Sequence, residues 1–177
     1  MGDVVEVEKK RLMSTETLDA LLQAASRTPP GAFVEVGVYQ GGSAERLSNL
    51  AELQGRPIYL YDTFTGIPYQ DAIDKHRVGD FCDGDEMLVR ARCPNATVVA
   101  GCFPVSAVPM EPIAFAHLDC DQYRAHCESI DYLLPLMVKG GLMWFDDVPW
   151  LEGATQAVME RFSDRLQMAA NRYYVEV

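Results

Sequence analysis

The sequence is short of positive charge: 15 lysines and arginines stand against 26 aspartates and glutamates, a net charge of −11. A nucleic-acid partner needs a basic footprint, so that class of function is excluded. The acidic surplus suits a cationic or neutral small ligand, and suits plain solubility equally well. Histidines number only three, and no cysteine or histidine pair sits beside the acidic clusters, which disfavours zinc. The five cysteines, Cys82, Cys93, Cys102, Cys120 and Cys127, form no C-x-x-C pair and are odd in number. A disulfide framework is therefore not expected, and reduced thiols in a cytoplasmic protein are the simplest account. No apolar run is long enough to span a bilayer, and the N-terminus lacks the apolar core of a signal peptide. No repeat or linker interrupts the 177 residues, so a single domain over 1–177 is expected. Residues 1–12 carry no periodic signal and read as a frayed arm.

What is present is organised around Phe33-Val34-Glu35-Val36-Gly37-Val38-Tyr39-Gln40-Gly41-Gly42-Ser43. It reads as strand, tight turn, helix. Gly37, Gly41 and Gly42 permit a sharp turn and close approach to a ligand. A helix opening near Ser43 aims free N–H groups at the same place. The spacing is not the G-x-G-x-x-G of dinucleotide sites. Glu35, just before the turn, fits a cationic or hydroxyl-rich ligand better than a pyrophosphate.

Around this unit, strand and helix alternate. Ser14 is placed to cap a helix with Leu18, Leu21, Leu22 and Ala25 on one face. A second strand, Pro57 to Tyr61, ends at Asp62, where a carboxylate can accept both ribose hydroxyls of a nucleoside. Thr63 to Asp83 has no period and reads as a binding loop or lid. Asp83 and Glu86 resemble a capping box for a helix running to about Cys93. Further strands are expected at Ala96 to Ala100, Pro112 to Leu118 and Leu142 to Phe145. Between the last two, a helix turns Tyr123, Cys127, Ile130 and Leu134 inward and closes at a Lys139-Gly140-Gly141 turn. A last helix carries Ala154, Ala157, Val158 and Phe162. The tail predicts two short strands around Asn171-Arg172. The pattern is that of an α/β, Rossmann-like, mainly parallel sheet with helices on both faces, ending in a short antiparallel hairpin.

Right-handed crossovers place every strand's carboxyl end on one edge. Glu35, Asp62, Asp119, Asp146 and Asp147 all fall there, with Gly101 closing the third strand. Such a rim repels itself unless something cationic sits in it. One candidate is a hard metal, Mg²⁺, Mn²⁺ or Ca²⁺, held by Asp119, Asp146 and Asp147. The other is a sulfonium, with Tyr39 or Phe64 lending an aromatic face. Turn, capping and internally bonded aspartates are the plainer readings. His117 reads as a core histidine, His126 as solvated, and His76 as a lid residue. Trp144 reads as core and Trp150 as a candidate acceptor-pocket wall.

Four stretches carry a family resemblance: the glycine turn, Tyr61-Asp62-Thr63-Phe64-Thr65-Gly66-Ile67-Pro68, His117-Leu118-Asp119-Cys120-Asp121-Gln122-Tyr123, and Gly140-Gly141 through Asp146-Asp147. Together they resemble the TylF-like macrocin O-methyltransferase family over about Ser14 to Phe162. That family comprises class I S-adenosylmethionine-dependent methyltransferases, often magnesium-dependent, acting on sugar hydroxyls of natural-product glycosides. Against that resemblance the sequence reads as shorter than typical members at its N-terminus and after the last helix, where substrate-covering elements would be expected. The resemblance implies Glu35, Gly37 and Tyr39 near the methionine part of the cofactor, with Gly41 and Ser43 in the same turn. It implies Asp62 on the ribose, Phe64 near the adenosine, and Asp119, Asp146 and Asp147 on the metal. The expected mechanism has the metal bind a small-molecule hydroxyl and lower its pKa, and Asp119, or in second place Asp121, accept the proton before the alkoxide attacks the sulfonium methyl. Two rivals stay open. One is a nucleotide-sugar glycosyltransferase using Asp119-Cys120-Asp121 as D-x-D, and the other is a non-catalytic S-adenosylmethionine binder. A homo-oligomer is compatible with the sequence.

Overall fold

A serine side chain starts the first described element. The Ser14 hydroxyl accepts from the Thr17 amide at 3.1 Å and caps α1, Thr15–Ser26. The structure is a computed structural model and describes residues 13–177, so the frayed-arm reading of residues 1–12 lies outside the described residues. After α1 come β1 Ala32–Val36, α2 Gly42–Leu53, β2 Ile58–Asp62, α3 Glu86–Arg92, β3 Thr97–Ala100 and β4 Ile113–Leu118. Then follow α4 Tyr123–Leu133, β5 Met137–Phe145, α5 Glu152–Phe162, β6 Gln167–Ala169 and β7 Arg172–Glu176.

The seven strands run in the order β3-β2-β1-β4-β5-β7-β6. The first five are parallel; β7 pairs antiparallel with β5, and β6 with β7. The expected Rossmann-like sheet with its terminal hairpin is therefore present. Every residue of β1 and β4 is buried, as strands covered on both faces require. One face packs Leu21, Ala25, Leu47 and Val89 of α1 to α3 around Phe33, Phe115 and Trp144. The other packs Ile130, Leu133, Val158 and Phe162 of α4 and α5 around Val34, Val36 and Phe145. Each such large side chain contributes about 1.5–3 kcal/mol by burial. Strand order reverses between β1 and β4, which opens a crevice at their carboxyl ends.

Several expectations need correcting. α4 turns His126, Ser129 and Leu133 inward along with the expected Ile130, and Leu134 packs partly buried on the same core, but Tyr123 and Cys127 do not face it. His126 is thus buried, not solvated. Asp85, not Asp83, caps α3, its carboxylate accepting from the Leu88 amide at 2.9 Å. Asp83 instead accepts from the Tyr39 hydroxyl at 2.7 Å. Lys139, Gly140 and Gly141 lie inside β5, absorbed by a register shift against β4 between Ile113 and Phe115. The hairpin turn is Ala170-Asn171, both at positive φ, so Arg172 opens β7 instead of sitting in the turn.

The stretch from 63 to 85 is irregular but tied down. The Ile67 amide donates to Asp80 O and the Gly79 amide to Ile67 O, both at 2.9 Å. Asp74, buried, accepts from the Tyr123 amide at 2.7 Å and the Asp71 amide at 2.8 Å, docking the loop on the start of α4. Gly153 of α5 packs directly against it, and a Cβ there would meet the Asp74 carboxylate. Asp74→Ala is expected to free this loop. Trypsin cleavage at Lys75 and Arg77 should then accelerate at least about tenfold while the global unfolding midpoint moves little. An unchanged cleavage rate would show that Asp74 is not the anchor.

Candidate functional site

At the reversal point the chain leaves β1 through Gly37, at φ +92°, where a Cβ would lie 1.7 Å from the Asp119 carbonyl oxygen. The turn that follows is held from the side by Asp62 at the end of β2. Its Oδ2 accepts from the Val38 and Tyr39 amides at 2.8 and 2.7 Å, and its Oδ1 from the Phe64 amide at 2.7 Å. Gly41, at φ +83°, then opens α2. Two consecutive strand ends are in this way clamped to one carboxylate.

A cavity extends from this turn along the strand ends. Its walls include Gly37, Tyr39, Ser43 and Asp62 and the carboxylates Asp119, Asp121 and Asp146. Gly101, Phe103, Tyr69 and Ser129 also line it, as do Met13, just before α1, and Leu18 within α1. Among the described residues, no lysine or arginine lines it. Burial, then the charges of Asp146, Asp147, Asp121 and Glu35, push the Asp119 carboxyl well above the usual carboxylate range. Burial and the neighbouring Asp146, Asp62, Asp80 and Asp74 push Asp121 up to about 7. Burial, followed by Asp121, raises Asp147 as well. His126 moves the other way, down to about 4, because its ring is sealed from water. A wall of this kind favours a positively charged occupant.

The expected residues fall into two groups. Gly37, Tyr39, Ser43, Asp62, Gly101, Asp119 and Asp146 line the cavity; Glu35, Gly41, Phe64 and Asp147 do not. Glu35 faces α2, beneath the turn. It accepts from the Ser43 hydroxyl at 2.5 Å and lies 3.2 Å from Nδ1 of His117, its cross-strand partner. The period-two alternation of β1 carried that signal: Glu35 must share a face with Phe33, opposite Val34 and Val36. Phe64 packs on the α1–α3 side of the core, and Gly41 packs on Val89. Trp144 is fully buried, as expected, but Trp150 is 62% exposed and outside the cavity wall.

The residues implied for a metal do not fit one as arranged. The Arg172 guanidinium pairs with Asp146 at 2.9 Å. Asp147 accepts from the Asp121 amide at 2.9 Å and lies 3.6 Å from His126 Nε2. Among the described residues, no group of three or more histidine, cysteine or acidic side chains is arranged to hold a metal ion. Tyr69 and Phe81 line the cavity from within the expected binding loop, whereas sequence reasoning gives Gln122 no role and weighs Asp121 only as a second base. Their loops have no periodicity to betray a facing surface. His76, read as a lid residue, lies 3.6 Å from Asp121.

Comparison with known proteins gives a consistent picture. A family described as a methyltransferase domain matches residues 34–148. No curated protein matches. The O-methyltransferase NovP superposes with a TM-score of 0.82 at 21% identity, over 96% of this chain and 82% of that one. The calicheamicin methyltransferase CalS11 gives 0.74 at 21% identity, over 90% and 77% of the two chains. A putative caffeoyl-CoA O-methyltransferase from Staphylococcus aureus gives 0.66 at 8% identity, over 94% and 86%.

Proposed function

Because the chain belongs to this methyltransferase-domain family, matched from 34 to 148, we propose that it is an S-adenosylmethionine-dependent O-methyltransferase acting on a small-molecule hydroxyl. One observation carries the reading. The cavity at the strand-order reversal is lined by Tyr39 and Asp62 and by the carboxylates Asp119, Asp121 and Asp146, with no basic side chain among the described residues of its wall. Arg172, outside that wall, answers only Asp146; a sulfonium would supply the positive charge that faces Asp119, and the transferable methyl is on that atom.

The narrower acceptor proposed is a sugar hydroxyl. The resemblance of its motifs to those of TylF-like macrocin O-methyltransferases supports it. So does the likeness to CalS11, described as a TDP-rhamnose 3′-O-methyltransferase. Asp119, in the wall at the end of β4, is the proposed proton acceptor. The acceptor oxygen bonds to the methyl as the sulfur–methyl bond breaks, and S-adenosylhomocysteine leaves. Most of the acceleration would come from holding two substrates in line. No step runs through magnesium, since Asp146 and Asp147 are engaged elsewhere. The glycosyltransferase alternative is disfavoured by the lining itself, whose described residues offer a diphosphate no lysine or arginine.

Calorimetry with S-adenosylhomocysteine tests the cofactor reading, and methyl transfer to a panel of sugar nucleotides and glycosides, read by mass spectrometry, tests the rest. Asp119→Asn is expected to bind S-adenosylhomocysteine within a few-fold of wild type and to lose roughly 10²–10⁴-fold in turnover. Full turnover in this variant would remove Asp119 from the scheme. Cofactor binding without turnover on any acceptor would favour a non-catalytic binder.

A further inference from the structure

The acidic rim already contains a cation. Arg172 opens β7, and the β5–β7 register that pairs Phe145 with Tyr173 sets it beside Asp146. Its Nε lies 2.9 Å from Asp146 Oδ1 and its Nη2 3.5 Å from Oδ2, a two-pronged contact with both side chains only about 15% exposed. The guanidinium also lies over the Trp150 ring, 5.7 Å from its centre. Its backbone position follows from the Ala170-Asn171 turn, where both residues adopt positive φ. Asp147 uses Oδ2 to accept from the Asp121 amide at 2.9 Å, with His126 Nε2 3.6 Å from the same oxygen. Of the three carboxylates that the resemblance assigns to a metal, Asp119 alone is left without such a partner among the described residues.

We propose that Arg172 is the resident cation of this rim and keeps a divalent ion out of it, so that the methyl transfer proposed above runs without metal. This rests on the cofactor reading for its second half only. A metal ion would have to displace a planar, two-pronged guanidinium and leave that charge stranded in a largely dry position. Breaking such a pair is costly, because the freed charge keeps only the Trp150 ring and the Asn171 carbonyl, with no second carboxylate to take it. With no metal to polarise the acceptor hydroxyl, the proton goes directly to Asp119 as the oxygen–methyl bond forms and the sulfur–methyl bond breaks. Arg172 touches none of these atoms; it is a positioning residue that neutralises one of Asp119's neighbours.

The test uses the full chain with S-adenosylhomocysteine and follows free Mn²⁺ by electron paramagnetic resonance. Wild type is expected to leave the signal unchanged up to about 1 mM Mn²⁺. Arg172→Gln should expose Asp146 and bind one Mn²⁺ at least about tenfold more tightly than wild type. Mn²⁺ uptake by wild type that disappears in Asp146→Asn would overturn the proposal. So would a folded Arg172→Gln protein that still takes up none. Should Arg172→Gln fail to fold, the wild-type titration still decides. S-adenosylhomocysteine affinity is measured in the same samples by calorimetry. Its absence would sink the cofactor reading while leaving the Mn²⁺ result to judge Arg172.

Discussion

Gly37→Ala is expected to yield no stably folded, cofactor-binding protein. The Cβ it introduces would lie 1.7 Å from the Asp119 carbonyl oxygen and 2.5 Å from its carbon. Those are backbone atoms, so no rotamer change relieves the overlap. Neither strand end can easily withdraw. The Gly37 amide donates to Tyr61 O and the Asp119 amide to Val36 O, both at 2.9 Å. The residue also sits at φ +92°, which is unfavourable for alanine. The combined cost should exceed about 4 kcal/mol, a large fraction of what a domain this size has to spare. Gly42→Ala is the control. Nothing lies within 4 Å of its added Cβ, and the site opens α2. It should match or exceed wild-type stability by a few tenths of a kcal/mol. Thermal unfolding separates the two. A Gly37→Ala protein melting within a few degrees of wild type would mean that β1 and β4 part more easily than this geometry implies.

The same close approach explains what could be read from the sequence. The apolar runs of β1, β2 and β4, each followed by turn or acidic residues, identify buried parallel strands, and their order places the acids on one edge. Gly37 announces the tight passage between strands without revealing that Asp119 is the neighbour it accommodates. α4 is harder to read. Its inner face holds His126 and Ser129, and hydropathy assigns such residues to solvent. The burial of His126 depends on the company the fold gives it: Nδ1 lies 3.1 Å from Gln122 O and 3.4 Å from Cys120 Sγ. Arg172 is displaced by one residue from its expected place because Ala170-Asn171 turns through positive φ without a glycine to mark it. That single step separates a solvent-facing turn arginine from one paired with Asp146.

Asp62 carries the second large effect, since its carboxylate has a structural duty beyond the ribose contact that the resemblance implies. Asp62→Asn should unfold about 2–4 kcal/mol more easily, even without any ligand. Three amides converge on the two oxygens of Asp62. An asparagine offers one acceptor oxygen and one donor NH₂, so at least one amide must face a donor. If the carboxamide oxygen takes Val38 and Tyr39, Phe64 is left facing NH₂, and the reverse arrangement strands the glycine turn. Either choice loosens a cavity wall. S-adenosylhomocysteine affinity should therefore fall by at least about 100-fold, from the lost ribose acceptor and from the disordered turn together. The two contributions separate by experiment. Denaturant unfolding without ligand reads the clamp alone, whereas calorimetry reads both. Asp119→Asn, which changes the cavity wall away from the clamp, should show neither defect. An Asp62→Asn protein as stable as wild type but weak in binding would reduce Asp62 to a ribose contact. One that binds normally would remove it from the site.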